Sequence, residues 1–315
     1  MELIFALTPN EIRVLEVLSS EPRTPTSISK TLRISMPHLS RILRHLSQKG
    51  FIKTEKHGLS KEISLANTKH ATIFRKVRSE FGHIKLEQIL TTSFLEVLST
   101  LGFNQPLSRK EIVEDSSISE RTLHVVLKRL RSRGIATVDS VGLYSIDTRF
   151  SILVDFALEL RHYANNSLAS SFSHDAVILW ERNKEFIIKS SESEERDGFL
   201  LTAFSQFHNF GVTLFVPDYY HYYASWKRKL SIEDVILHSL LMRPSGTREL
   251  TAVLLLFKKN QKHINVDRLL EKAQKYDLTD EVSRIVEYVT TQGLKKAPEF
   301  PEWKELAVKI KEYEM

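Results

Sequence analysis

The chain of 315 residues contains no cysteine. Disulfides, thiolate metal sites and cysteine nucleophiles are therefore excluded. It also lacks any apolar run of ~18 residues, so no membrane span is expected. Its histidines, among them His162, His208, His221, His238 and His263, fall into no HExxH or comparable spacing. Neither a metal nor a cofactor is expected. Asparagine and glutamine are sparse beside lysine and glutamate, a balance seen in thermophilic proteins. The start, MELIFALTPNEI, is too short and too acidic for a secretory signal, and a cytoplasmic protein is the simplest expectation.

What is present is enough hydrophobic residue, 42%, for real cores, in a chain long enough for two or three domains. The net charge of +6 is unevenly placed. Residues 1–150 hold 23 Lys+Arg against 15 Asp+Glu, hence +8, and residues 151–315 hold 22 against 24, hence −2. A basic first half points to a polyanionic partner there.

The basic half also repeats itself. ISKTLRISMPHLSRILRHLSQKGFIKTEKHGL, from Ile28 to Leu59, aligns without gaps at an offset of 84 with IVEDSSISERTLHVVLKRLRSRGIATVDSVGL, from Ile112 to Leu143. Ser35 pairs with Ser119, Leu39 with Leu123, Leu43 with Leu127, Leu46 with Leu130, Gly50 with Gly134, and Gly58-Leu59 with Gly142-Leu143. The period is longer than that of a solenoid repeat, so it marks two similar folded modules.

Each module reads as helix, short helix, longer helix and hairpin. Thr8-Pro9-Asn10-Glu11 is a helix start with a capping box, followed by the stripe Ile12, Leu15 and Leu18. Pro22 and Pro25 are expected to stop this helix, and a second is expected over about 26–32. Ser35 caps a third helix that runs to Lys49 and ends at Gly50. Residues 51–54 and 62–65 alternate as a hairpin with Lys56-His57-Gly58 at its tip. In the second copy Leu95, Leu98 and Leu101 mark the first helix. Ser108 to Glu111 forms a capping box, Ser119 caps the third helix, and 135–146 forms the hairpin around Gly142.

This order resembles the winged helix-turn-helix of MarR- and ArsR-type regulators, common in archaea and bacteria, over roughly residues 8–67 and 92–147. The resemblance implies a transcriptional regulator that binds double-stranded DNA with the third helix of each module in the major groove. On a helical wheel Leu39, Ile42, Leu43 and Leu46 face the core. Pro37, Arg41, Arg44 and Gln48 face outward, with His38 and Ser40 at the margins and Ser35 at the cap. Arginine offers a bidentate fork to guanine O6 and N7. Lys53, Lys56 and Lys61, with His57, make the first wing cationic and suited to phosphates. The second third-helix turns Arg121, Val125 and Lys128 outward, flanked by Thr122 and His124, with Arg129, Arg131 and Arg133 at its end. Its wing has no Lys or Arg and carries Asp139, so the first module is expected to be the stronger reader. The competing reading is a winged helix used for protein contact.

The basic segment at 68–84 is expected to be a linker helix, either a spacer or a dimerisation element. The apolar one from Phe150 to Tyr163 is expected to join the C-terminal domain or a partner subunit. The resulting division is 1–67 and 85–148 for the winged helices, 68–84 and 149–173 for the connecting helices, and 174–315 for an α+β domain. The expected fold class is thus mainly α with small β-hairpin wings (two winged helix-turn-helix domains) plus an α+β C-terminal domain. In that last part strands are expected at 176–180, 185–189 and 212–216. Helices are expected at 198–207, 231–241 and in four later stretches near 247–258, 265–276, 279–291 and 301–313. Tyr219 to Trp226 packs five aromatic rings and a histidine. A core edge is the preferred reading, against a partner, ligand or base-stacking surface.

LSIEDVILHSLL at 230–241, with AVLLLF and KYDLTDEVSRIVEYV, is similar to nucleotidyltransferase-like domains over about 174–290. Such domains stand beside winged helices in type IV antitoxins of the AbiEi kind. The resemblance implies a Gly-Ser motif and paired carboxylates for metal, but the strand reads FIIKSS and Asp218 stands alone. A non-catalytic domain for sensing a small effector, binding a protein partner or forming a homodimer is expected. The alternatives are an antitoxin that binds a toxin and autoregulates its operon, or a nucleotidyltransferase-related enzyme.

Overall fold

A computed structural model describes residues 5–57, 60–103, 106–116, 118–224, 229–242 and 247–314. The chain divides into two compact units, Met1–Leu168 and Ala169–Met315.

In the first unit, α1 (Pro9–Leu18) opens on the Thr8/Glu11 capping box. It ends at Leu18, so neither proline stops it. Pro25 instead starts α2 (Pro25–Leu32) behind the Thr24 cap. Its missing N–H costs nothing in a first turn, where no intrahelical partner exists. Helix α3 (Met36–Gln48) follows Ser35, whose side chain makes no capping hydrogen bond. The chain then turns at Gly50 with φ 68°, and any side chain there would also collide with Tyr163. Strands β1 (Ile52–His57) and β2 (Ser60–Leu65) pair antiparallel, Ile52 opposite Leu65. The hairpin tip at Gly58-Leu59 lies outside the described residues.

The second module repeats the order with α5 (Thr92–Phe103), α6 (Arg109–Ser116), α7 (Glu120–Ser132), β3 (Ala136–Val138) and β4 (Tyr144–Ile146). Ser108 and Glu111 exchange the two capping bonds at the start of α6. Ser119 accepts the Thr122 N–H at the start of α7.

One continuous core runs through this unit. It takes in two further helices, α4 (Lys69–Glu80) and α8 (Ser151–Phe172). Phe74 and Val77 of α4 are fully buried, and Phe74 packs with Phe51 and with Phe156 of α8. Leu153, Phe156 and Leu160 are fully buried too, and Arg161 of α8 is ion-paired with buried Glu96 at 2.7 Å. The segment at 68–84 is therefore neither a bare spacer nor a dimerisation surface along its apolar stripe, because that stripe fills the core of its own chain. The same holds for 150–163: its apolar face is covered within this unit rather than by a partner subunit. A buried Lys49–Glu11 pair at 2.6 Å ties the end of α3 to the start of α1. Removing either partner would strand a buried charge.

The second unit is a four-stranded antiparallel sheet followed by helices, which bears out the α+β expectation. The strands β5 (Val177–Arg182), β6 (Glu185–Ser190), β7 (Phe199–Leu201) and β8 (Tyr219–Tyr223) lie in the order β5-β6-β8-β7. Two expectations fail here. The stretch 198–207 is not one helix: β7 occupies its start, and a 3₁₀ helix, Ala203–Phe210, follows and closes at Gly211. Residues 212–216 form no strand, and the sheet takes in β7 and the aromatic run instead. Tyr222 is buried, donates to Glu185 at 2.6 Å and stacks on His238 at 4.5 Å, and Tyr223 stacks on Phe186 at 5.1 Å. Large aromatic side chains fit a pleated, half-buried surface. Trp226 lies outside the described residues. Helix α9 (Ile232–Leu241) begins at the expected Ser231/Asp234 capping box, and α10 (Thr247–Lys259), α11 (Val266–Lys275), α12 (Thr279–Thr290) and α13 (Trp303–Glu314) follow. Among the described residues no helix is long and apolar enough to cross a membrane.

Candidate nucleic-acid interface

Burial of Leu39, Ile42 and Leu46 fixes the rotation of α3. Ser35, Pro37, Ser40, Arg41, Arg44 and Gln48 are consequently exposed, while His38 is half-buried with Nε2 3.3 Å from the Asn10 side chain. Arg41 and Arg44, one helical turn apart, have no acidic partner among the described residues. On the wing, Lys56 and Lys61 stand directly opposite each other and both are exposed. Like charges paired across strands destabilise a hairpin. Lys53 differs, because Glu55 holds its ammonium at 2.7 Å. The side chain of His57 lies outside the described residues.

In the second module Leu123, Val126, Leu127 and Leu130 are buried, which turns Arg121, His124, Val125, Lys128 and Arg131 to the outside. Thr122 is half-buried, with its hydroxyl 2.9 Å from that of Ser119. Of the three arginines near the end of α7, only Arg131 has a side chain that makes no hydrogen bond, ion pair or ring contact among the described residues. Arg129 donates to the Gln88 carbonyl at 3.4 Å and lies over the Phe94 ring, and Arg133 donates to Gln88 Oε1 at 2.6 Å. A groove of about 680 Å³ runs between α7 and the wing, lined by Arg109, His124, Lys128, Arg131, Thr137 and Tyr144 among others. Arg109 was not among the residues singled out from sequence. It stands 3.3 Å from His124 Nδ1, and its exposed place at the start of α6, beside the third helix, was the available signal. Asp139 is not a free acid on the second wing, since its Oδ1 accepts the N–H groups of Val141 at 2.9 Å and Leu143 at 2.8 Å.

Residues 7–61 match the MarR family, a span that holds α1, α2, α3 and the first wing strand. The first module is thus a winged helix-turn-helix similar to those of MarR-type regulators, which supports a DNA-binding transcription regulator. Residues 196–315 match a family described as HVO_2833_C, C-terminal. No curated protein matches the chain. The resemblance of 174–290 to antitoxin-type nucleotidyltransferase domains gains no support from these matches.

Proposed function

We infer that the chain is a sequence-specific regulator that grips double-stranded DNA with both winged helices, the first more strongly. The observation that carries this is the pair Arg41 and Arg44, outward on the third helix of the MarR-matched module and unpaired with acid among the described residues. In this reading Arg41, Arg44 and Gln48 face base edges, and Ser35, Pro37, His38 and Ser40 line the helix start. Lys56 and Lys61, with Lys53 as a lesser contributor, hold phosphates. Arg121, Thr122, His124, Val125, Lys128 and Arg131 do the equivalent work in the second module. Residues 174–315 serve as a non-catalytic regulatory domain, and 68–84 and 149–173 brace the two modules.

The test is duplex affinity at fixed salt. Replacing Arg41 and Arg44 together by Ala removes two base contacts and is expected to weaken binding by about 30-fold or more, at ~1 kcal/mol or more per contact. Unchanged affinity in a folded double variant would overturn the assignment.

A further inference from the structure

Val125 occupies on α7 the place that Arg41 occupies on α3, and it is 50% exposed. It does not belong to an apolar patch. Its neighbours along the outer face, Arg121, His124 and Lys128, are exposed, and the two cations have no acidic partner among the described residues. A hydrophobic protein partner would have to desolvate those cations without compensation. A polyanion that also presents an isolated methyl group fits the same surface without that penalty.

The second wing repeats the pattern. Asp139 binds the backbone of its own turn, Gly142 takes φ 92°, and the side chain left at the tip is Val141, 80% exposed. The turn is therefore braced by its own hydrogen bonds, and its leading group is an isopropyl. Duplex DNA offers one aliphatic group on its major-groove base edges, the C5-methyl of thymine. Its minor groove accepts apolar side chains from architectural and arm-like elements.

We propose that the second module reads thymine: Val125 packs on a thymine C5-methyl in the major groove, Arg121 and Lys128 hold the flanking phosphates, and Val141 lies against the sugars of the adjacent minor groove. The proposal rests on the DNA-binding reading above. It makes the two half-sites chemically different, with guanine under Arg41 and Arg44 and thymine under Val125.

The experiment selects bound duplexes from a random pool with the full chain. Each thymine in the half-site protected by α7 is then replaced by deoxyuridine, which removes the methyl group alone. One replacement is expected to weaken binding about 4-fold, the worth of one buried methyl. Val125→Ala should lose a similar factor on the thymine duplex and nothing further on the deoxyuridine duplex. Because Ala is the better helix former at an exposed site, the variant should keep its fold, which circular dichroism checks. Failure of the wild-type chain to bind any duplex would overturn both readings. Tight binding with no effect of deoxyuridine, or with an equal effect in Val125→Ala, would overturn this one alone.

Discussion

Arg41 and Val125 stand 84 residues apart in sequence and at the same place on two copies of one scaffold. Beneath them the copies agree: Leu39, Leu46, Leu123 and Leu130 are all buried. Above them they diverge, with arginines and a Lys56/Lys61 wing on one side and Val125, Val141 and an internally bonded Asp139 on the other. Packing tolerates little change at a buried leucine, whereas an outward side chain is free to follow its ligand. The difference therefore separates what holds the modules from what they read.

The largest expected effects test the shared core. Leu46→Ala and Leu130→Ala each empty a fully buried site and should cost about 2–5 kcal/mol. Since both residues belong to one continuous core, each variant should shift a common unfolding transition of the first unit, read by urea melts. A Leu130→Ala protein that kept a separate, undisturbed transition for the first module would show that the modules are independent.

Next comes the outer face. Val125→Arg restores in the second module what the first possesses. It should tighten duplex binding, steepen the salt dependence by about 1 in log–log slope and move preference from thymine towards guanine, as seen by repeating the selection. Lys128→Ala should instead weaken all sequences alike and lower the slope by about 1. If Val125→Arg abolished binding, α7 would be facing something other than DNA.

Acid extends the comparison to the two units, through His70 buried in the first and His221 buried in the second. His70 sits between Phe51 and Tyr163, with its Nε2 3.0 Å from the Lys49 carbonyl, and His221 packs against Phe172. Burial pushes each from 6.5 down to about 4. Folded-state values below the unfolded one mean that the unfolded chain takes up protons first. The stabilisation is complete above pH 6.5 and is lost as pH falls from there towards 4, at up to ~1.4 kcal/mol per pH unit for each histidine. Urea midpoints measured at pH 7 and pH 5 should fall for the wild-type chain, and His221→Phe should flatten that decline in the second unit only.

Much of this was legible beforehand, for physical reasons. The leucine periodicity, the Thr8 and Ser108 capping boxes and the glycine stops are local signals, and the helices of both modules follow them within a residue or two. The 198–218 region was not legible, because short apolar runs such as Phe199 to Leu201 do not distinguish strand from helix by periodicity. Nor was the state of individual cations. Gln88, which engages Arg129 and Arg133, lies more than 40 positions away along the chain, and nothing local announces it.

The smallest expected effect bears on the same point. Lys53 and Lys56 look alike in the sequence of the first wing, yet Lys53 is held by Glu55 whereas Lys56 faces Lys61. An exposed ion pair contributes little to stability, so neither substitution should unfold the hairpin. Their effects on binding should differ. Lys56→Ala removes the proposed phosphate contact and should lower the salt slope by about 1, while Lys53→Ala removes a charge already largely compensated and should leave the slope nearly unchanged. Glu55→Gln should then make Lys53 behave like Lys56, because the ammonium is released without moving the strand. Equal slopes for Lys53→Ala and Lys56→Ala would mean that DNA displaces Glu55 on contact, and that the pairing seen in the free chain does not govern the bound one.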